Sequence, residues 1–137
     1  MAIRIIQIGA GIRGMHWAGF VKAHPDVECV ALIEPMEANR ARALAAIGGN
    51  CQGFADLDSA LKAVKADAAL IVTPSVTHAE TTIRCLDAGL TVMVEKPLST
   101  SVEEGKRVIA HARQLGKQVI VAENYRFWPA ERTIERL

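Results

Sequence analysis

Cysteine is scarce, and its spacing suits no cysteine chemistry. The three thiols, Cys29, Cys51 and Cys85, lie far apart in a chain of 137 residues. No pair has the spacing of a zinc site or a redox motif, and an odd number does not make a disulfide framework. Reduced thiols in a cytoplasmic protein, with no bound metal, are the expectation. An excess of charge of one sign is also missing. Sixteen Lys and Arg stand against 15 Asp and Glu, for a net charge of +1, and the basic residues are scattered. That removes the electrostatic footprint of a nucleic-acid partner or an anionic membrane surface. No apolar run is long enough to span a bilayer. The apolar beginning is broken by Arg4 and Arg13, with glycines between and after them, which is not how a signal peptide reads. Repeats, low-complexity tracts and internal linkers are absent.

Core-forming material, in contrast, is plentiful. Hydrophobic residues make up 50% of the chain, enough to bury the core of one domain. Short apolar runs at 3–8, 27–33, 51–54, 68–72, 91–94 and 119–121 are rich in Val and Ile and hardly alternate in polarity. Strands buried on both faces, as in a parallel sheet, have that composition. The stretches between them carry helical stripes. Leu57, Ala60, Leu61 and Val64 follow Asp56, a predicted N-cap. Val76, Ala79, Ile83 and Leu86 form a second stripe, opened by Ser75 and closed by Gly89. Ser101 and Glu104 make a capping-box pattern ahead of Val108, Ile109 and Leu115, with Gly116 as the stop. This alternation predicts an α/β fold, a doubly wound, mostly parallel Rossmann sheet with helices on both faces. At the end, Trp128, Pro129 and the charged run 131–136 read as a helix that has only begun, which suggests a fragment or a domain boundary.

Gly9-Ala10-Gly11-Ile12-Arg13-Gly14 fits G-x-G-x-x-G between the first strand and a helix carrying Met15, Ala18 and Val21. Gly9 permits the tight turn, Gly11 lets backbone approach a pyrophosphate, and Gly14 lets helix and strand pack closely. The helix N-terminus offers free N–H groups and the positive end of its dipole to the anion. Alone such a motif is weak, because glycine-rich turns are common. Glu34 strengthens it: twenty residues after Gly14, at the end of the second strand, a carboxylate can accept both ribose hydroxyl protons of an adenosine. That carboxylate repels a 2′-phosphate, so NAD is favoured over NADP. Arg40 could instead serve a phosphate, cover the adenine or simply be solvated. Methyltransferases that use S-adenosylmethionine share the acidic strand end, but their loop reads G-x-G-x-G, and Arg13 stands at its fifth position.

A second constellation ends the fourth and fifth strands, at Val72-Thr73-Pro74 and Glu95-Lys96-Pro97. In a doubly wound sheet both turns face the crevice of the glycine loop. Lys96 is the candidate catalytic group, because a lysine beside a nicotinamide can hold a substrate hydroxyl and steady the developing alkoxide. His78, at the start of a helix, is either a helix-end hydrogen-bonding residue or a contact to the cofactor.

The GAGIRG loop, the TPSVTH segment, the EKPLS segment and the ENYRF segment, in this order over essentially the whole chain, resemble the glucose-fructose oxidoreductase, inositol dehydrogenase and MocA-like family. The resemblance implies that residues 1–123 are an NAD(P)-binding Rossmann domain. Residues 124–137 would begin the connection to a substrate and oligomerisation domain. Beside the loop residues Gly9, Gly11, Ile12, Arg13 and Gly14 and the candidate His78, it implies cofactor contacts at Glu34, Thr73, Pro74, Glu95, Lys96 and Pro97, with Lys96 in catalysis. Asn124 and Arg126 fall where the family's chain turns between domains, so either can touch cofactor or substrate. Ser75 stands where the family often has Asn. The implied activity is hydride transfer between NAD and a carbinol of a sugar, inositol or related polyol, in a homo-oligomer, with this chain alone inactive. A stand-alone dinucleotide sensor is the alternative, and the retained Lys96 argues against it.

Overall fold

The computed structural model describes residues 2–134, apart from the side chains of Arg126, Ala130 and Arg132. Residues 135 and 136 of the charged run lie outside the described residues, as does the Arg126 side chain. Strands and helices alternate in chain order: β1 Ile3–Ile8, α1 Ile12–Ala23, β2 Val27–Ile33, α2 Glu37–Ile47, β3 Gln52–Phe54, α3 Leu57–Ala63, β4 Ala68–Ile71, α4 His78–Asp87, β5 Thr91–Glu95, α5 Val102–Gln114, β6 Val119–Ala122 and α6 Pro129–Ile134. The sheet runs β3-β2-β1-β4-β5-β6, and every neighbouring pair is parallel. This is the doubly wound order, which reverses between β1 and β4.

The central strands are apolar on both faces because each face has its own core. On one face Ile6, Ile8, Ile33, Ile71, Val92 and Val94 pack with Leu57 and Ala60 of α3, Cys85 and Leu86 of α4, and Ala112 of α5. On the other, Ile5, Cys29, Leu32, Leu70 and Val72 pack with Ala18 and Val21 of α1 and Ala43 and Ile47 of α2. With both faces filled, ligand chemistry is left to the loops beyond the carboxyl ends of β1, β4 and β5. The three thiols are free. Cys29 and Cys85 are buried and Cys51 is half-buried, and burial pushes the Cys85 thiol up to about 12.

Helix starts show the caps that their residues predict at Asp56 and Ser101. Asp56 Oδ1 accepts from the Ser59 N–H at 2.9 Å, as an N-cap should. Two boundaries differ in detail. Ser75 does not open α4: Ser75–Thr77 is a 3-10 turn, and the helix begins at His78. Thr77 Oγ1 donates back to the Pro74 carbonyl at 2.8 Å, which tightens that turn, and Val76 is left out of the apolar stripe at 72% exposure. At α5 the Ser101 hydroxyl accepts from the Glu104 N–H at 3.2 Å. The reciprocal half of a capping box is replaced, because Thr100 Oγ1 donates to the Glu104 carboxylate at 3.0 Å. Val108 and Ala112 bury α5, whereas Ile109 and Leu115 are exposed.

Candidate functional site

The glycine loop shows three different requirements at its three glycines. Gly9 has φ +102°, and a Cβ there would lie 2.5 Å from the Val72 carbonyl oxygen. A Cβ at Gly14 would lie 2.4 Å from the Gly9 carbonyl oxygen, so helix and strand touch through backbone. At Gly11 a Cβ would meet nothing within 4 Å. Protein packing does not require that glycine, and the space beside it is open. Gly11 is the N-cap of α1 with no side-chain cap, and the first turn holds no acidic residue. The helix end therefore keeps its positive dipole for an external anion.

This end of the helix opens on a groove of about 750 Å³, lined among others by Gly9, Gly11, Ile12, Arg13, Glu34, Asn39, Thr73 and Pro74. A groove of that size suits a nucleotide-sized ligand. Glu34 is buried at 8% exposure. Its Oε2 accepts from the Ala10 N–H at 2.9 Å and its Oε1 from the Met36 N–H at 3.0 Å. Each carboxylate oxygen still has a lone pair to offer, so two hydroxyls can be accepted without disturbing the loop. Arg40 does not reach into the groove as a phosphate ligand. Its Nη1 donates to the carbonyls of Glu34 at 2.6 Å and Pro35 at 3.2 Å, and its stem lies over Gly53.

A second cavity of about 570 Å³ adjoins the first through Arg13 and Thr73, and is lined also by His78, Glu95, Lys96, Pro97, Asn124 and Tyr125. Glu95 organises it. Its Oε1 accepts from Arg13 Nε at 2.5 Å and from Trp17 Nε1 at 2.8 Å, and its Oε2 from the Lys96 N–H at 3.2 Å. Burial pushes the Glu95 carboxyl up, but the bonds from Trp17 and Arg13, the Arg13 charge and the Lys96 N–H outweigh it. The carboxyl is held below the ordinary glutamate range. The Lys96 ammonium has no hydrogen bond or ion pair among the described residues and stays available in the cavity. The Lys96–Pro97 peptide is cis.

His78 is almost fully buried, with Nδ1 2.7 Å from the Pro97 carbonyl and Nε2 2.8 Å from the Thr73 carbonyl. It lies between the turn after β4 and the turn after β5, with a backbone carbonyl beside each ring nitrogen. The structure thus brings together Gly9, Gly11, Ile12, Arg13, Glu34, Thr73 and Pro74 in one groove, and His78, Glu95, Lys96, Pro97 and Asn124 in the next. Gly14 lies beneath the loop. Sequence reading missed Trp17, which anchors Glu95, Asn39 in the groove, and Gln7, whose amide reaches the glycine loop. Gln7 left a signal: it is a lone polar residue in an otherwise apolar strand segment, Ile5 to Ile8.

Known proteins share this fold. Residues 3–123 match the family described as an oxidoreductase family with an NAD-binding Rossmann fold. The chain is 33% identical over 132 residues to 4-carboxy-2-hydroxymuconate-6-semialdehyde dehydrogenase of Sphingobium sp., covering 96% of this chain and 42% of that protein. It is 33% identical over 126 residues to D-glucoside 3-dehydrogenase of Escherichia coli, covering 91% and 36%. Among solved structures, the WlbA dehydrogenase of Bordetella pertussis, in complex with NADH and UDP-GlcNAcA, superposes with a TM-score of 0.90 at 26% identity. That match covers 99% of this chain and 41% of that one. The chain therefore spans about two fifths of the length of these relatives. It belongs to the glucose-fructose oxidoreductase, inositol dehydrogenase and MocA-like family of oxidoreductases, in the part that forms the NAD-binding Rossmann fold.

Proposed function

We propose that this chain is the cofactor domain of an oxidoreductase that moves hydride between NAD and the carbinol or carbonyl carbon of a sugar, inositol or related polyol. The observation that carries the reading is the pairing of two adjoining spaces. One holds an uncapped helix end and a carboxylate with lone pairs to spare; the other holds the free ammonium of Lys96. Bound NAD supplies the hydride acceptor. The chain's own groups do the rest. The N–H groups after Gly11 meet the pyrophosphate, Glu34 receives the adenosine ribose and repels a 2′-phosphate, and Thr73 and Pro74 wall the groove. Lys96 holds the substrate oxygen and stabilises negative charge as it develops there. Glu95 serves Lys96 indirectly, by fixing the backbone from which it projects.

Residues 124–137 then begin a connection to a substrate domain supplied outside this chain, so this chain alone binds NAD weakly and turns nothing over. Relatives named for a muconate semialdehyde and for a glucoside are equally similar to it, as expected if substrate choice resides outside the cofactor domain. Lys96 disfavours a stand-alone sensor, which needs ribose and pyrophosphate contacts but no group at the hydride carbon. Calorimetric titration with NAD+, NADH and NADP+, beside Glu34→Ala, tests the reading. Saturable binding that favours NAD and weakens in the variant is expected. A folded wild-type chain that binds NADP+ better, or a variant that binds NAD as well as wild type, overturns it.

A further inference from the structure

We infer that Gln7 is a positioning residue for the dinucleotide, its side-chain amide holding both ends of the glycine loop so that the N–H groups between them face the pyrophosphate. The inference rests on the reading of the loop as a dinucleotide site.

Gln7 lies in β1, fully buried, on the face that packs against α1 and α2. Its Nε2 donates to the Gly9 carbonyl at 3.1 Å and to the Gly14 carbonyl at 2.9 Å. Carbonyl oxygens only accept, so the amide must present its nitrogen to them. The other end, Oε1, is buried without a hydrogen-bond partner among the described residues. A buried acceptor left unpaired is destabilising, and an apolar side chain in this strand would avoid that cost. Folding alone therefore gives little reason for a glutamine here. The two bonds it makes do give one, because Gly9 and Gly14 are the first and last residues of the loop.

The four residues between them, Ala10 to Arg13, carry the backbone that meets a bound anion. Close approach already brings the two ends together, since a Cβ on Gly14 would lie 2.4 Å from the Gly9 carbonyl oxygen. Packing of that kind sets a distance but no direction. Two hydrogen bonds from one planar NH2 group set the direction of both carbonyls, and through the peptide planes that of the adjacent N–H groups. The third fixed point is Ala10, whose N–H is held by Glu34. The loop is thus clamped at its ends by Gln7 and in its middle by the ribose-binding carboxylate.

The test separates loop positioning from a general role in the core. Gln7→Met keeps the shape and removes the donor. NAD+ and ADP-ribose, which both contain the pyrophosphate, should bind this variant about tenfold more weakly, because the released loop must be ordered on binding. Adenosine, which meets Glu34 but not the loop amides, should bind it as it binds wild type. The thermal midpoint of the ligand-free protein should fall only modestly, because the Gly9 and Gly14 carbonyls lose a donor while the unpaired Oε1 leaves with it. A parallel loss for adenosine and NAD+, or no loss for either, overturns the inference. Wild type that fails to bind NAD+ at all sinks the dinucleotide reading instead, so the two failures are distinct. If Gln7→Met does not fold, the wild-type side-chain NH2 resonance of Gln7 decides. ADP-ribose should shift it and slow its hydrogen exchange while adenosine does neither, and indifference to ADP-ribose overturns the inference.

Discussion

Glu95 shows how a single buried charge can organise a turn. The side chain is 7% exposed, a position where an isolated carboxylate would be protonated or absent. Arg13, Trp17 and the Lys96 N–H together keep it ionised. Arg13 is 54% exposed, so water screens its share, and the indole and backbone bonds matter more than the ion pair alone suggests. Glu95→Gln should therefore cost about 1–2 kcal/mol at neutral pH, the scale of hydrogen bonds to a charged acceptor after screening. The pH dependence has a definite sign. The folded-state pKa lies below the ordinary glutamate value of 4.5, so the unfolded chain takes up a proton first as pH falls. The stabilisation is complete above 4.5 and disappears as pH drops through the lower folded value. Urea unfolding of wild type and variant should give a constant difference from neutral pH down to about 4.5, and one that shrinks from there to the lower folded value. A difference that grows on acidification would mean that Glu95 is held neutral.

At the scale of the element, the loop from β1 to α1 separates two kinds of glycine requirement. Gly14→Ala must move backbone, because its Cβ would sit 2.4 Å from a carbonyl oxygen; overpacking of this kind costs about 1–3 kcal/mol. Gly11→Ala has open space and loses only a better N-cap, so its stability should stay within about 1 kcal/mol of wild type. On the proposed reading, however, its methyl group would meet the pyrophosphate, and NAD binding should fail. Thermal melts and NAD titrations on the two variants give opposite patterns if each glycine has the role assigned to it. The elements themselves were legible in sequence wherever burial was complete. The strands carry no alternation because helices cover both faces, and Asp56, Gly89 and Gly116 mark helix ends by chemistry local to each. The start of α4 was not legible. Ser75 is a good N-cap by type, but Thr77 bonds back to Pro74 and delays the helix, which is a geometric outcome rather than a residue preference. The same holds in the site. The glycines, Glu34 and Lys96 stand at positions that spacing identifies. Trp17 acts across the fold on Glu95, and spacing along the chain carries no trace of that partnership, whereas Gln7 is close in sequence to the loop it holds and shows only as a polar residue in an apolar strand.

For the molecule as a whole, one sheet joins two cores. Residues alternate along β1, with Ile6 and Ile8 in the core under α3, α4 and α5, and Ile5 in the core under α1 and α2. A disturbance in either core reaches the other through a strand that both share, so the domain should unfold as one unit. The cofactor loop connects that strand to α1, and Glu34 ends β2 beside it. Binding at the loop therefore stabilises the whole sheet, not a lid or a terminus. The expected size follows from mass action. At NAD concentrations one hundred times the dissociation constant the folded state gains about 2.7 kcal/mol. For a chain of 137 residues the entropy of unfolding turns that gain into a rise of about 9 °C in the thermal midpoint. In a Trp128→Phe background, far-UV circular dichroism and Trp17 fluorescence should move together, in the absence of NAD and again in its presence, because Trp17 lies in α1 against the second core while the dichroism reports the helices of both cores. If NAD raised the fluorescence midpoint and left the dichroism midpoint behind, the two cores would be melting separately, and the site would belong to the α1 side alone.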